Sequence, residues 1–183
     1  FPAYFNIDNE ENLKASLINL EIFSCKFKFY VEKELAASKE EKPGNSFCYI
    51  EFVESSGAIL LGMILRLFGF DEFKTTVDPF NIKSGKLENI DKKKRFALVT
   101  GQSKNIETTL KLFNSPENKN GEYIQIIIAS KLARDGINIF NVLRGYIMTP
   151  GWHEAGMYQA LSRFIRADSH VLLNKKVDVE VFR

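Results

Sequence analysis

Tyr123-Ile124-Gln125-Ile126-Ile127-Ile128-Ala129 is followed directly by Ser130-Lys131-Leu132-Ala133-Arg134-Asp135-Gly136-Ile137-Asn138-Ile139. The first run is short and dominated by isoleucine. It reads as a strand buried on both faces, the kind that lies inside a parallel sheet. Upstream, Asn114 to Gly121 is a loop of Asn, Pro and Gly. Before it, Ile106, Leu110 and Phe113 recur on one side of a helix expected over Lys104–Phe113, and Phe96–Thr100 reads as a strand. Earlier, Ser46–Val53 is aromatic and nearly continuously apolar, a second buried strand. Ser55 or Ser56 is expected to cap the helix that follows, which runs to about Phe68 with Gly69 as terminator. Asn9 to about Ser38 reads mainly as helix, and Pro43-Gly44 marks the turn that ends this segment. Downstream, Gly145–Thr149 reads as a strand, Ala155–Ala167 as a helix, and His170–Leu173 and Val177–Phe182 as the last strands. Strands alternating with helices predict an α/β fold, a mostly parallel sheet with helices on both faces.

Composition narrows the function classes. The chain has 183 residues, 45% hydrophobic and 26% charged, which suits one domain and excludes a disordered or low-complexity chain. The longest apolar candidate for a membrane span, Ala58 to Phe70, is interrupted by Arg66 and is shorter than the roughly 18 residues a span needs. Two cysteines, Cys25 and Cys48, give no disulfide framework and suit an intracellular, reducing compartment; both sit in apolar surroundings and are expected in the core. Net charge is +2, so any nucleic-acid contact must come from a local arrangement of donors. The run Lys92-Lys93-Lys94-Arg95, at the end of a polar connection from Asp71, reads as a solvated loop. The chain begins at Phe1 and ends straight after an alternating segment, and a piece of a longer polypeptide is expected.

Two segments carry the chemistry. On the expected helix after Trp152, Gln159, Arg163 and Arg166 stand at i, i+4 and i+7 and share one face, while Met157, Ala160, Leu161 and Phe164 form an apolar stripe. A solvated face usually mixes acids with bases. Here no acid lies between Ala155 and Ala167, and guanidinium forks match phosphate oxygens, so an anion site and a solvated face both stand. Ser130 with Asp135-Gly136 follows a buried strand, where ligands sit in open α/β sheets; on spacing alone a plain helix cap and turn is the better explanation. Trp152 invites base stacking but follows Pro150-Gly151 at a turn, where packing explains it better. No Ser or Cys nucleophile stands at a recognisable spacing from His153 or His170.

Taken together, Ser130–Ile139 resembles motif V of superfamily 2 helicases, and Gln159-Ala160-Leu161-Ser162-Arg163-Phe164-Ile165-Arg166 resembles their motif VI. Ser46–Phe68 stands where motif IV belongs, and Thr100-Gly101 where the family often has Thr-Gly after a strand. The stretches Phe47–Leu61, Phe113–Asn118 with Gly121, and Gln159–His170 are similar to helicases of nucleocytoplasmic large DNA viruses, with the pox-type early-transcription and nucleoside-triphosphate phosphohydrolase branch as the nearest comparison. Ser162 departs from the usual Gly of motif VI, and Asn138 stands where many relatives have Asp.

The resemblance implies a RecA-like fold and the second motor domain of an ATP-dependent helicase or translocase, covering 46–183, with 1–45 a helical segment and linker. It implies a cleft for ATP shared with a first RecA-like domain of the same polypeptide. In that cleft Arg166 would be the arginine finger with Arg163 beside it, Gln159 would sense the γ-phosphate or bridge the domains, and Asp135, Gly136 and Asn138 would border the nucleotide. Ser130, Thr100, Gly101, Ser55, Ser56 and Gly57 would contact the DNA or RNA backbone. The chain has no Gly-x-x-x-x-Gly-Lys-Ser/Thr loop and no Asp-Glu-x-His or Asp-Glu-x-Asp box. The phosphate cradle and the Mg2+ carboxylates are therefore expected in the first domain, and this chain alone is expected to hydrolyse no ATP. A non-catalytic RecA-like binding module is the alternative, and a small-molecule enzyme using the Arg pair for a phosphorylated substrate is a third reading. If the source is a virus, the virion or the host-cell cytoplasm or nucleus is the expected location.

Overall fold

The computed structural model describes residues 5–74, 93–103, 105–130, 137–149, 158–159, 161–165, 169–173 and 178–182. Its elements are helices α1 (Glu10–Phe23), α2 (Cys25–Ala37), α3 (Ala58–Leu67) and α4 (Ile106–Phe113), and strands β1 (Asn45–Tyr49), β2 (Asp71–Glu72), β3 (Arg95–Val99), β4 (Ile126–Ala129), β5 (Val142–Ile147) and β6 (Glu180–Phe182). Among the described residues the strands form one sheet in the order β2-β3-β4-β1-β5-β6, every pairing parallel. The alternation of strand and helix predicted this. A parallel neighbour needs a crossover, and between β3 and β4 the helix α4 supplies it.

Register sorts the side chains into two cores. Cys48 lies opposite Ile128 and Tyr146, and Phe47 opposite Ile127 and Gly145. Cys48, Ile126, Ile128, Phe96 and Tyr146 point to the face covered by α1, α2 and α3. Phe47, Ile127, Ala97, Val99 and Ala129 point to the other face, against Leu112 and Phe113 of α4 and against Leu161 and Phe164. Both faces are apolar because both are covered, which is why the strands read as continuous apolar runs.

The N-terminal segment is two helices, where the sequence reading expected mainly one. The chain extends at Ser24 (φ −164°), whose hydroxyl accepts from Phe27 N–H and starts α2. A hydroxyl side chain that caps the next turn competes with continued helix. This segment shares its core with the sheet: Leu20, Tyr30, Val31 and Leu35 are buried there, and the Tyr30 ring meets Tyr146 edge-on at 4.6 Å. Glu34, fully buried, accepts from Arg144 Nε at 3.1 Å and from Gln125 Nε2 at 2.9 Å. Arg144 also donates to the carbonyls of Pro43 (2.8 Å) and Gly44 (3.2 Å), closing the polar end of this contact.

Other differences are local. β1 ends at Tyr49 rather than Val53, because the next residues turn to meet α3. The N-cap of α3 is Gly57 with no side-chain bond, so neither Ser55 nor Ser56 caps the helix; Ser55 is in the left-handed region (φ 55°), away from the extended cap geometry. Gly69 (φ +81°) stops α3 as expected. Residues Val171–Leu173 form a 3-10 turn instead of a strand. His170 holds it: Nε2 donates to the Val142 carbonyl at 2.7 Å, Nδ1 accepts from Ser169 Oγ at 2.9 Å, and Leu173 N–H reaches back to the His170 carbonyl. Cys48 is buried as expected, but Cys25 is exposed at the start of α2. Of the expected Val177–Phe182 strand, Glu180–Phe182 is present as β6; Asp178 and Val179 lie before it, and Val177 is outside the described residues. The polar connection from Asp71 begins with an edge strand; Lys92, Trp152 and His153 lie outside the described residues. No helix among the described residues is long and apolar enough to cross a membrane.

Candidate functional site

β1 sits between β4 and β5, with β3 beyond β4, so the carboxyl ends of these strands gather along one edge. In open parallel sheets this edge is where ligands bind. Three of the sequence-predicted segments lie on it. Ser130 follows β4; it is buried, and its N–H donates to the Val99 carbonyl at 3.2 Å. Thr100 and Gly101 follow β3. Ser55, Ser56 and Gly57 follow β1.

The turn after β3 is self-contained. Thr100 N–H donates to Ser103 Oγ at 3.0 Å, Thr100 Oγ1 accepts from Gln102 N–H at 3.3 Å, and Ser103 Oγ donates to the Leu98 carbonyl at 2.8 Å. The Thr100 side chain is thus committed to shaping the turn, and Gly101 and Gln102 are exposed at its tip. Sequence reading missed Ser103; its spacing of three from Thr100 is the signal of a hydroxyl-closed turn.

The segment after β1 is anchored along its length. Ile50 N–H donates to the Ala129 carbonyl (3.0 Å), Glu51 N–H to Thr149 Oγ1 (3.2 Å), and Met148 N–H to the Tyr49 carbonyl (2.9 Å), so the exit from β1 is pinned between the ends of β4 and β5. Ala58 N–H then donates to the Phe52 carbonyl at 2.9 Å and Ile59 N–H to the Val53 carbonyl at 3.0 Å. Backbone carbonyls of the loop thereby satisfy the first amides of α3, the task expected of a serine. The turn is too tight for a side chain at Gly57: a Cβ there would stand 2.5 Å from the Phe52 carbonyl carbon and closer still to its oxygen. Ser55 and Ser56 are exposed, and Glu54 Oε1 accepts from Gln102 Nε2 at 3.1 Å, joining this loop to the turn after β3.

A second group lies elsewhere, on the chain entering β5 and the segment packed on the sheet face. Ile139 N–H donates to the Arg163 carbonyl at 3.2 Å, which joins the exit of the motif V-like segment to the motif VI-like one. Asn114 clamps the same stretch: its Nδ2 donates to the Asn138 carbonyl (2.9 Å) and its Oδ1 accepts from Phe140 N–H (2.8 Å). Phe164 is fully buried, 5.2 Å from the Phe47 ring and against Gly145, and Leu161, also of the expected apolar stripe, is buried with it. The helical stretch loosens at Ser162, whose Oγ donates to the Gln159 carbonyl at 2.8 Å and takes the acceptor that a continuing helix would use. Gln159 is exposed. Arg163 is half-buried, and its Nε is buried with no hydrogen-bond partner among the described residues. Asp135, Gly136, Arg166, Met157 and Ala160 lie outside the described residues.

Asn118 is a further residue the sequence reading named only within a pattern. It is fully buried. Its Nδ2 donates to the Phe113 and Ile124 carbonyls (3.1 and 3.0 Å), and its Oδ1 accepts from the Tyr123 and Ile124 amides (2.8 and 2.9 Å). One amide thus holds the loop that delivers the chain into β4. Among the described residues no group of three or more His, Cys, Asp or Glu side chains stands ready for a metal ion.

No protein-family model matches the chain. It is 30% identical over 172 residues to "Putative helicase 087L" of Invertebrate iridescent virus 3, covering 90% of this chain and 16% of that protein. It is 32% identical over 152 residues to "Putative helicase 009L" of Frog virus 3, covering 83% of this chain and 14% of that protein. The chain therefore spans about a sixth of the length of these relatives. Among solved structures it is similar to the C-terminal part of the Fun30 ATPase domain, with a TM-score of 0.54 and 15% identity over 99% of this chain and 55% of that one. The fold is RecA-like. The chain resembles the second RecA-like domain of superfamily 2 helicases, and its relatives are viral proteins that carry the name helicase.

Proposed function

We propose that this chain is the C-terminal motor domain of an ATP-dependent helicase or translocase that moves on DNA or RNA. The observation that carries the reading is the joining of the two motif-like segments on one parallel sheet, Ile139 N–H to the Arg163 carbonyl, with Phe164 buried beneath. Arg163 then stands on a fixed base, and a guanidinium fork matches phosphate oxygens. Arg166 is the arginine finger, offering cationic donors where negative charge develops on a transferred phosphoryl group. Gln159, exposed on the same segment, reads the terminal phosphate. Asp135, Gly136 and Asn138 border the nucleotide.

ATP with Mg2+, when bound between this domain and a first RecA-like domain of the same polypeptide, supplies the phosphoryl group whose hydrolysis drives movement. This chain contributes the arginines. The phosphate loop and the metal carboxylates belong to the first domain.

The nucleic-acid track runs over the carboxyl edge of the sheet. Ser55 and Ser56, exposed on the turn that Gly57 closes, and Gly101 at the tip of the turn that Thr100 closes, contact phosphates. Ser130 holds the end of β4 beneath them. Contacts of this kind carry no sequence information, which suits a motor that steps along any sequence.

The test compares nucleic-acid-stimulated ATP turnover by the complete polypeptide and by residues 1–183 alone. The complete polypeptide turns over ATP and the segment does not. Equal turnover by the segment alone, or none by the complete protein with any nucleic acid, overturns the reading.

A further inference from the structure

We propose that Phe52 is a stacking platform for an unpaired nucleobase of the strand that crosses the carboxyl edge of the sheet. The inference rests on the nucleic-acid track proposed above and adds a contact of a different chemical kind. Phe52 is 60% exposed, yet its flanks are among the most firmly held parts of the edge. Ile50, two residues before it, is buried, and Glu51 is tied to Thr149. Phe52's own carbonyl accepts from Ala58 at the start of α3, and Gly57 closes the turn with no room for a side chain. An apolar ring held out to solvent by a rigid backbone is costly to maintain and ready to bind, because little freedom is left to lose.

The charges around it decide what it would bind. From Ile50 to Gly57 the sequence carries Glu51 and Glu54 and no lysine or arginine. Two carboxylates repel a phosphate at this spot, and the Glu54 carboxylate is held in place by Gln102. The exposed hydroxyls of Ser55 and Ser56 serve the backbone side of a strand, and the ring beside the acids serves the base side. Every base has a π-face, so such a contact is tolerant of sequence.

The test uses the complete polypeptide, a labelled oligothymidylate, and an abasic strand of equal length with the same phosphates. Wild type binds the base-bearing strand more tightly. Phe52→Ala weakens it by about ten-fold, leaves the abasic strand unchanged, and leaves the slope of log affinity against log salt unchanged. Phe52→Trp keeps the preference. If Phe52→Ala weakens both strands equally, the ring packs against protein and the inference is overturned, while the track reading stands. If Phe52→Ala weakens neither, or lowers the salt slope, the inference is likewise overturned. If wild type binds neither strand, the track reading fails and the inference fails with it.

Discussion

Gly145→Ala tests the base on which Arg163 stands. Gly145 lies in the middle of β5, opposite Phe47. A Cβ built on it would come 2.5 Å from Phe164 Cε2, nearer still to Cζ, and 3.3 Å from Cε1. Ordinary contact begins near 3.4 Å, so the ring must retreat by more than an ångström. It has nowhere simple to go, since Phe164 is fully buried and already meets Phe47 at 5.2 Å. Overpacking of this kind costs about 1–3 kcal/mol. For a domain of this size each kcal/mol lowers Tm by about 2–4 °C. The assay is urea unfolding of the chain, with Phe164→Leu and the double variant completing a cycle. Phe164→Leu alone costs stability by leaving a cavity. The double variant costs less than the two singles added, by about 1 kcal/mol, because leucine makes room for the methyl. Arg163 is the neighbour of Phe164, so Gly145→Ala also lowers ATP turnover in the complete protein. Stability within about 0.5 kcal/mol of wild type, or strict additivity, would refute the packing on which this reasoning rests.

Other predictions concern the opposite end of the sheet and the thiols. Glu34→Gln leaves the Arg144 guanidinium facing a neutral amide in a buried site and destabilises the chain by about 3–5 kcal/mol in urea unfolding; a change under 1 kcal/mol would contradict the buried pairing. Cys25, exposed, reacts with a thiol reagent in the native chain, whereas Cys48 reacts only after unfolding, so titration gives one equivalent and then two. Burial, with Glu34 nearby, pushes the Cys48 thiol far above its ordinary 9.0; burial also raises the Tyr30 and Tyr146 phenols above their ordinary 10.0. The unfolded chain releases these protons and the native chain keeps them, so stability is full below about pH 8 and declines as pH rises through 9 and beyond. Stability that stays flat from about pH 8 to 11 would contradict that burial.

The sheet was legible because its chemistry is local. Ile126–Ile128 and Phe47–Tyr49 are apolar on both faces, and only a covered parallel sheet uses strands of that kind. What periodicity could not reach was the role of single polar atoms. Ser24 divides the N-terminal helix by turning its hydroxyl to Phe27, and helical spacing on both sides hides the break. His170 diverts an apolar run into a 3-10 turn through a bond to Val142, 28 residues away, which no local pattern encodes. Ser55 and Ser56 look like caps by position, but the carbonyls of Phe52 and Val53 satisfy the amides of α3 first. Cys25 reads as a core thiol because its neighbours are apolar, yet it opens α2 on the outer side. For the site, the segments that carry Arg163 and Asn138 were readable as motifs. Their joining depends on Asn114, a loop residue whose importance is visible only when the chain returns beside it. Phe52 escaped notice for the opposite reason: within an apolar run it counts as core, and only its exposure in the fold sets it apart.

The most direct measurement is nucleic-acid-stimulated ATP turnover by the complete polypeptide carrying Arg166→Ala, with nucleotide affinity and unfolding followed in parallel. The account predicts that turnover falls by at least about a hundred-fold while the fold and nucleotide binding are retained, because the finger acts on charge that develops only during phosphoryl transfer. Turnover near the wild-type rate would contradict it, and the motor role of this domain would have to be withdrawn.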